Sequence, residues 1–278
     1  ALPMYSLCST LVYSTLRAAG TLIASAESDG TVSSLVDPNT VRRIARLAGV
    51  GPDTPVVEIG PGLGSLTLAL AETGASVTAV ELDRHLVPIL EEVVAGLDVR
   101  VVQGDAMALD WHELLAAHPR WSLVANLPYN VATPLVLDLL RDVPEIDRML
   151  VMVQKEVGER LAAAPGTSAY GIPSVKVALR ARAKVVGKVG PDVFHPRPRV
   201  DSALVAIERL PAPAVDGDLA AIERLVETAF NQRRKMLRRS LAGVVPPEAF
   251  EVAGFDPQDR PERLGVDAWA RLVAAVAG

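Results

Sequence analysis

The sequence predicts an α/β protein, with a doubly wound parallel sheet followed by a smaller helical domain. Short apolar runs rich in Val, Ile and Leu alternate with helical patterns between residues 55 and 154. Such runs are typical of parallel strands that helices cover on both faces, and right-handed crossovers then wind the sheet in two directions. A Pro/Gly-rich break at residues 211–218 ends this alternation, and only helical patterns follow. We therefore expect two domains.

The individual elements follow from these patterns. The predicted strands are 56–59, 76–80, 99–102, 122–125 and 149–153, and two further strand-like runs lie near 175–186 and 202–207. The predicted helices between the strands are 65–72, 84–94, 133–140 and 156–163. The chain therefore divides into an N-terminal extension at 1–36, a sheet domain at 37–209 and a helical domain at 210–278.

Composition limits the classes of protein to which the chain can belong. The chain has 278 residues, of which 50% are hydrophobic and 22% are charged, so it contains enough apolar residues for a core. Its net charge is -5, so a nucleic-acid partner would need a local basic surface. Cys8 is the single cysteine, which excludes a disulfide framework and a thiolate metal cluster and fits the reducing cytoplasm.

The first residues have the least specific pattern. Residues 2–26 are apolar and hydroxyl-rich, with Arg17 as their one charged residue. The sequence at 24–26 resembles a signal-peptidase site, but no basic region precedes the apolar run. The stretch is too short and too polar for a membrane span. We favour a helix that covers part of the fold or a loosely held extension, with a secretory signal as the alternative.

A glycine-rich segment follows the first predicted strand and begins a helix. Gly60, Gly62 and Gly64 are each separated by one residue. Glycines let a ligand approach the backbone closely, because no Cβ is in the way. A tight structural turn and a dinucleotide site are the competing interpretations, although the spacing is tighter than that of the dinucleotide fingerprint.

Carboxylates end the next two predicted strands, at the edge where open α/β sheets bind ligands. Glu81 ends the second strand, where it can accept hydrogen bonds from two ribose hydroxyls. Asp105 ends the third strand, where it can accept from an adenine amino group or cap a helix. The set resembles the S-adenosylmethionine pocket of class I methyltransferases. There Glu58 would contact the amino-acid end of the cofactor through water, or be structural.

The tetrapeptide Asn126-Leu127-Pro128-Tyr129 ends the fourth predicted strand at the same edge. An adenine amino nitrogen is a poor nucleophile, because its lone pair is delocalised into the ring. The Asn126 side-chain oxygen and the Leu127 carbonyl, held rigid by Pro128, can accept its two hydrogens and orient the lone pair. Tyr129 can stack on the base. The alternative interpretation is an Asn-x-Pro turn with a packing tyrosine.

Several separate motifs together resemble the ribosomal RNA adenine dimethyltransferases, the small-subunit adenosine dimethyltransferase family. The resemblance covers nearly everything after Leu35. The matching segments are 37–44, 57–67, 81–83, 104–105, 126–130, 152–157, 169–171, 194–203 and 230–235, in the order of the family.

The resemblance implies S-adenosyl-L-methionine as the cofactor and two successive methyl transfers to one amine. The residues assigned to the cofactor are Leu35, Glu58, Gly60, Gly62, Gly64, Glu81, Leu82, Asp105, Ala106 and Asn126. The residues assigned to the reaction are Asn126, Leu127, Pro128, Tyr129 and Phe194. Phe194 is expected to face Tyr129 across a base that has left its stack, and core packing is the alternative for Phe194.

The sequence differs from the family before Asp37. A basic segment of the type Gly-Gln-Asn-Phe-Leu is expected there, as a cover for cofactor and substrate. This chain has Gly30-Thr-Val-Ser-Ser-Leu35 instead, and only Leu35 matches. The difference predicts either weaker cofactor binding or an N-terminal segment that is not representative of the family.

The densest basic run lies just after the predicted linker. Residues 232–239 place five basic side chains in about two helical turns, enough to neutralise several phosphates. A solvated charged face is the alternative. The residues assigned to RNA are Arg233, Arg234, Lys235, Arg238, Arg239, Arg197 and Arg199, and Arg180, Arg182, Lys184 and Lys188 extend the set.

We expect an enzyme that dimethylates N6 of adjacent adenosines in small-subunit ribosomal RNA during ribosome maturation. It would act on the immature small subunit in the cytoplasm as a monomer, without a metal or a membrane. Residues 37–209 would then be a Rossmann-like methyltransferase domain, and residues 210–278 would dock on RNA. The histidines show no metal-ligand spacing and no Ser-His-Asp arrangement.

Two alternatives remain. A large-subunit RNA methyltransferase of the macrolide-resistance type shares the chemistry, but Leu127 and the segment 230–235 favour the small subunit. A non-catalytic RNA- or DNA-binding assembly or transcription factor on the same fold is supported only by the missing cover segment.

Overall fold

The computed structural model describes residues 34–277, so most of the predicted N-terminal extension, including Cys8, lies outside the described residues. The strands are β1 Ser34–Leu35, β2 Pro55–Ile59, β3 Ser76–Glu81, β4 Val99–Gln103, β5 Trp121–Asn126, β6 Ile146–Gln154, β7 Ala181–Val189, β8 Phe194–His195 and β9 Ser202–Arg209. The helices are α1 Pro38–Ala48, α2 Ser65–Ala71, α3 Val87–Val93, α4 Trp111–Leu115, α5 Ala132–Asp142, α6 Lys155–Leu161, α7 Ile172–Ala178, α8 Leu219–Phe230, α9 Leu237–Ser240, α10 Pro247–Ala253 and α11 Val266–Ala277. The predicted α/β class is confirmed.

A seven-stranded sheet organises these elements, in the order β4-β3-β2-β5-β6-β9-β7. Strand β2 pairs in parallel with β3 on one side and with β5 on the other. The pairs β3–β4 and β5–β6 are also parallel. Because the strand order reverses at β2, the carboxyl ends of β2, β3 and β5 border the crevice where open α/β sheets bind ligands.

Two compact units divide the described chain. The first comprises the described residues up to 155 together with 186–206, and the second comprises 156–185 and the residues from 207 onward. The chain thus enters the second unit twice. The proposed division of function at residues 209 and 210 stays a prediction.

One predicted strand is partly wrong. The run 175–186 forms the end of helix α7 and then most of β7. Pro173 stands in the first turn of the helix, where its missing N–H costs nothing. The Gly171 N–H donates to Ser174 Oγ at 3.0 Å, which secures the helix start. These start signals, together with full burial of Val175, override the β preference of the valines.

Helix α1 is well defined at both ends and covers part of the core of the first unit. The Asp37 carboxylate accepts from the Thr40 backbone N–H at 2.8 Å, and a hydrogen bond from the Thr40 hydroxyl holds the pKa of Asp37 below its ordinary value. Gly49, at φ 63°, ends the helix in the left-handed conformation that favours glycine. Ile44 on its inner face is buried with Leu150 of β6 in one core.

The second unit has a separate core of aromatic and aliphatic side chains. Tyr170, Phe230 and Trp269 lie in it, with ring centroids 6.2 and 6.3 Å apart in the two neighbouring pairs. The Tyr170 hydroxyl and the Trp269 indole N–H both donate to the Leu264 carbonyl, at 2.8 and 3.1 Å. Both buried donors are therefore satisfied.

An ion cluster lies at the junction of α7 and α8 in this unit. The Glu223 carboxylate accepts from Arg180, and its other oxygen is 3.4 Å from Lys176 Nζ. The three side chains are only 12–18% exposed. Lys176 also contacts Glu227 at 2.7 Å, and the Glu227 side chain is 47% exposed.

We predict that Glu223→Ala lowers the free energy of unfolding by about 2 kcal/mol, because it leaves two poorly hydrated cations without their shared carboxylate. The matched control, Glu227→Ala, removes a more exposed carboxylate from the same cluster and should cost less than about 1 kcal/mol. Urea titration of both variants measures the difference. Equal losses would contradict a special role for Glu223.

Candidate functional site

The glycine segment between β2 and α2 turns in a way that requires glycine. Gly60, Gly62 and Gly64 have φ values of 69°, 56° and 84°, in the left-handed region that other residues rarely adopt. A Cβ on Gly64 would lie 2.8 Å from Leu90 Cδ1. The Gly60 N–H donates to the Val80 carbonyl at 2.9 Å, which joins the start of the turn to β3. The predicted ligand-facing turn therefore has the backbone it needs.

The Glu81 carboxylate connects this turn to the end of β3. Its Oε2 accepts from the Gly62 N–H at 3.0 Å, and its Oε1 accepts from the Asp83 N–H at 2.9 Å. The side chain is 7% exposed. Each oxygen accepts one protein hydrogen bond and keeps a further lone pair for a ligand donor. Glu81 is thus held as an acceptor at the position predicted for a ribose ligand.

Glu58 and Thr67 form a buried polar pair beside the glycine turn. Glu58 is 1% exposed and Thr67 is 0% exposed, and neither Glu58 Oε2 nor Thr67 Oγ1 has a hydrogen-bond partner. Burial raises the pKa of Glu58 to about 8, against the opposing effect of the Thr67 hydroxyl, and the Glu81 carboxylate raises it further. Thr67 was not predicted to belong to the site, although a hydroxyl side chain between Leu66 and Leu68 on an otherwise apolar helix pointed to it.

Asp105 lies exposed after β4, and its Oδ1 accepts from the Met107 N–H at 2.9 Å. This is an Asx turn, and the next helix begins only at Trp111, so the alternative of a helix cap is wrong. The Ala106 carbonyl accepts from the Trp111 indole at 3.1 Å. Leu82 is 66% exposed and Met107 is 43% exposed, so each presents an apolar surface suited to a ring. Met107 was not predicted.

The tetrapeptide lies where predicted, at the end of β5. Asn126 is paired with Met152 of β6, and the Leu127 N–H donates to the Met152 carbonyl at 3.0 Å. The Pro128 carbonyl accepts from the backbone N–H groups that begin α5. A Cβ on Gly60 would lie 3.9 Å from the Asn126 carbonyl oxygen. The structure therefore brings the glycine turn and the tetrapeptide together.

The short β1–β8 pair covers the glycine turn. Leu35 is paired with Phe194, and a Cβ on Gly62 would lie 3.8 Å from Ser34 Oγ, a residue that the sequence analysis did not assign. Leu35 and Phe194 are each 5% exposed and belong to the core of the first unit. Tyr129 is half-buried. The ring contacts found in residues 34–277 do not include a pair of Tyr129 with Phe194, so their role as a clamp stays a prediction.

The basic run after α8 is not one helix, so that expectation is wrong. Helix α8 ends at Phe230, residues 231–235 form turns, and α9 begins at Leu237. The Lys235 N–H donates to the Gln232 carbonyl at 2.8 Å, which closes a turn, and Met236 is extended with ψ 151°. Four of the five cations are exposed: Arg234, Lys235, Arg238 and Arg239.

Three of the predicted RNA ligands already have protein partners, and one of them, Arg180, pairs with Glu223 and is only 14% exposed. Arg233 Nε lies 3.0 Å from Glu262 Oε2, and its Nη2 donates to the Ser168 carbonyl at 2.7 Å. Arg197 lies 3.1 Å from Asp192, with both side chains mostly exposed. The charge of Arg233 therefore supports the fold of the second unit at least in part.

The described residues fit the cofactor that the resemblance implies. The turn of three left-handed glycines gives close access to the backbone, and Glu81 is fixed as an acceptor. The buried Glu58 carboxyl, just before the same turn, has an oxygen without a hydrogen-bond partner, Oε2. Between residues 34 and 277, no cluster of three or more metal-ligand side chains occurs, and no helix combines the length and apolar content of a membrane span.

We predict that Glu58→Gln stabilises the protein relative to wild type as the pH rises from 5 to 8. The folded carboxyl keeps its proton up to about pH 8, whereas the unfolded carboxyl loses it near pH 4.5, so burial of Glu58 costs more stability across this window. Glutamine does not titrate. The difference in unfolding free energy should grow by about 3–4 kcal/mol, since the slope is about 1.4 kcal/mol per pH unit where the two states differ by one proton.

Urea titrations at pH 5, 6.5 and 8 measure this difference. Glu72→Gln, at an exposed position, is the control and should show a constant difference from wild type. A constant difference for Glu58→Gln would show that Glu58 is already ionised in the folded protein.

Two curated relatives match most of the chain. The Ribosomal RNA small subunit methyltransferase A of Kineococcus radiotolerans is 49% identical over 250 residues, which cover 86% of this chain and 82% of that protein. The protein of the same name from Bifidobacterium adolescentis is 47% identical over 259 residues, which cover 87% of this chain and 86% of that protein.

Two solved structures match about as much of the chain. The 23S rRNA methyltransferase ErmE has a TM-score of 0.67 at 28% identity and covers 88% of this chain and 99% of its own. A dimethyladenosine transferase from Plasmodium falciparum has a TM-score of 0.74 at 23% identity over 86% of this chain and 95% of its own, which shows the same fold.

The family model described as Ribosomal RNA adenine dimethylase matches residues 26–277, nearly the whole chain. Together with the fold, which is that of the class I methyltransferases, this match confirms the resemblance found in the motifs. The chain belongs to the ribosomal RNA adenine dimethylase family.

Proposed function

We propose that the protein transfers two methyl groups from S-adenosyl-L-methionine to N6 of each of two adjacent adenosines in small-subunit ribosomal RNA. The observation that carries this proposal is the proximity of the glycine turn to the tetrapeptide, since a Cβ on Gly60 would lie 3.9 Å from the Asn126 carbonyl oxygen. This arrangement supports the binding of a methyl donor and of the amine that receives the methyl group at the same edge of the sheet. The small-subunit names of relatives at 47% and 49% identity support the choice of RNA.

The glycine turn and the acidic residues hold the cofactor. Glu81 accepts from the ribose hydroxyls with the lone pairs that remain on its two oxygens. The Asp105 carboxylate accepts from the adenine amino group, and Leu82 and Met107 offer apolar surface to the adenine ring. When bound, S-adenosyl-L-methionine supplies an electrophilic methyl group.

The tetrapeptide prepares the target amine. The Asn126 side-chain oxygen and the Leu127 carbonyl accept its two hydrogens, which orients the nitrogen lone pair toward the methyl group. The Leu127 carbonyl belongs to a backbone held by the bond to Met152 and by Pro128, so it is fixed before the base arrives. Tyr129 stacks on the target base after that base has rotated out of the RNA helix. After each transfer the nitrogen loses one proton, so the singly methylated amine keeps one N–H and donates it to only one of the two acceptors in the second transfer.

The two parts of the chain have different roles in this reaction. Residues 37–209 carry out the methyl transfer, and residues 210–278 dock the RNA through the exposed cations at 234–239. Phe194 supports the site as the partner of Leu35 in the β1–β8 pair and closes over the flipped base opposite Tyr129. The protein acts as a monomer in the cytoplasm, on the immature small subunit.

A second candidate is methylation of large-subunit RNA. The likeness to the 23S rRNA methyltransferase ErmE, at 28% identity with a TM-score of 0.67, supports it. The small-subunit relatives are more similar, at 47% and 49% identity, and we therefore favour the small subunit. A non-catalytic binding factor would need neither the tetrapeptide nor its fixed backbone.

We predict that Asn126→Ala lowers the rate of methyl transfer to immature small subunits by about 100-fold or more, as removal of one preorganised polar group does elsewhere. Affinity for RNA should stay within about twofold, because the substitution leaves every cation in place. Asn39→Ala, at an exposed position on α1, is the matched control and should keep the wild-type rate. Full activity of Asn126→Ala would overturn the assigned role.

A further inference from the structure

A group of basic side chains lies on α1 and on two neighbouring strands of the first unit. We call this group the α1 basic surface, and its members are Arg42, Arg43, Arg46, Arg148 and Lys188, all exposed. Arg43 Nη1 donates to the Lys188 carbonyl at 3.2 Å. A Cβ on Gly49, at the end of α1, would lie 3.8 Å from Arg148 Nη2. These contacts link the helix to β7 and β6.

The charges of this surface lack ion-pair partners among the described carboxylates. Within residues 34–277, no side chain of the α1 basic surface forms an ion pair with a carboxylate. Some other exposed arginines of the same unit, Arg120 and Arg141 among them, do form such pairs. Arg141 lies 2.8 Å from Asp138 and 2.7 Å from Asp142, and Arg120 lies 3.6 Å from Asp147. In a chain of net charge -5, five unpaired cations in one place make a local positive potential.

Neighbouring residues hold one arginine of this surface, Arg43, in a defined position. A Cβ on Gly187 would lie 2.6 Å from Arg43 Nη2, so the guanidinium occupies space that a larger residue would fill. The φ of Gly187 is not in the left-handed region, so its backbone conformation does not require glycine. The hydrogen bond to the Lys188 carbonyl holds the guanidinium there. Such preorganisation reduces the side-chain entropy lost when a ligand binds.

We propose that the α1 basic surface binds the phosphate backbone of the RNA substrate, as a second contact that is separate from the basic segment at 233–239; this rests on the proposed function. Phosphate fits the site because guanidinium groups bind it in fork geometry. Exposed aromatic side chains, which would indicate base stacking, are not part of the surface. The surface therefore adds affinity and orientation without selecting sequence.

Stabilisation of α1 is the competing explanation for part of the surface. Arg46 and Arg148 lie near the carboxyl end of α1, where cations favour the helix dipole. Arg42 and Arg43 lie in the middle of the helix, where the dipole has little effect. The double variant Arg42→Gln/Arg43→Gln therefore tests RNA binding without removing a charge from the helix end, and glutamine has a similar helix propensity.

The test measures affinity for small-subunit ribosomal RNA as a function of KCl concentration. For Arg42→Gln/Arg43→Gln we expect the slope of log affinity against log salt to fall in magnitude by about 1.4–1.8, and Kd to rise on the order of 10-fold near physiological salt. The matched control is Arg120→Gln/Arg141→Gln, which removes two cations that already have carboxylate partners. Its slope should change by less than about 0.5. Equal changes in both variants would overturn the proposal.

A double-mutant cycle of Gly187→Ala with Arg43→Gln tests the position of Arg43, because Gly187→Ala moves the guanidinium and keeps its charge. Gly187→Ala displaces the guanidinium and should weaken RNA binding about two- to fivefold, by an effect that requires Arg43. In an Arg43→Gln background, Gly187→Ala should leave RNA affinity unchanged. Additive losses would overturn this part of the proposal, because they would show a general disturbance near Leu204, whose Cδ1 would lie 3.2 Å from the new Cβ.

Wild-type protein separates this inference from the proposed function. If wild type neither binds nor methylates small-subunit RNA, the proposed function fails. If wild type does both and the α1 double variant matches its control, only the α1 basic surface fails as an RNA contact. Cofactor affinity by calorimetry should be the same for all variants, since none changes a residue of the cofactor site.

Discussion

The hydrogen bonds from the Gly62 and Asp83 N–H groups to the Glu81 carboxylate are the interactions on which the rest of the site depends. They tie a turn of three left-handed glycines to the end of β3, so that the turn does not have to be ordered by a ligand. The same turn lies against the Asn126 carbonyl on its other side. Glu81 thus holds the glycine turn in place beside the tetrapeptide, and methyl transfer depends on such positioning of the reacting groups.

The sheet topology explains why these groups meet. Strand β2 lies between β3 and β5, so residues that follow three different strands come together at one edge. This edge was predictable, because apolar runs followed by Gly60, Glu81 and Asn126 define it in the sequence. The family motifs then identified the chemistry. Local sequence patterns therefore predict the position of a site well when its residues follow parallel strands, whose carboxyl ends meet at one edge of the sheet.

Other features could not be read from the sequence, for physical reasons. The partner of Leu35 is Phe194, and a pairing over so many residues leaves no local signal. The valines of α7 favour strands, and burial and the Ser174 start signal override that preference. The basic run at 232–239 looked like one helix, but closure of a turn at Lys235 and extended Met236 interrupt it. The burial of Glu58, which leaves its Oε2 without a hydrogen-bond partner, depends on tertiary packing that the sequence alone does not show.

The destination of a labelled methyl group tests the proposed methyl transfer to small-subunit RNA most directly. Protein incubated with labelled S-adenosyl-L-methionine and immature small subunits, and in parallel with large-subunit RNA, should place label in N6,N6-dimethyladenosine of the small subunit only. Label in large-subunit RNA alone, or no transfer by a protein that calorimetry shows to bind the cofactor, would contradict it.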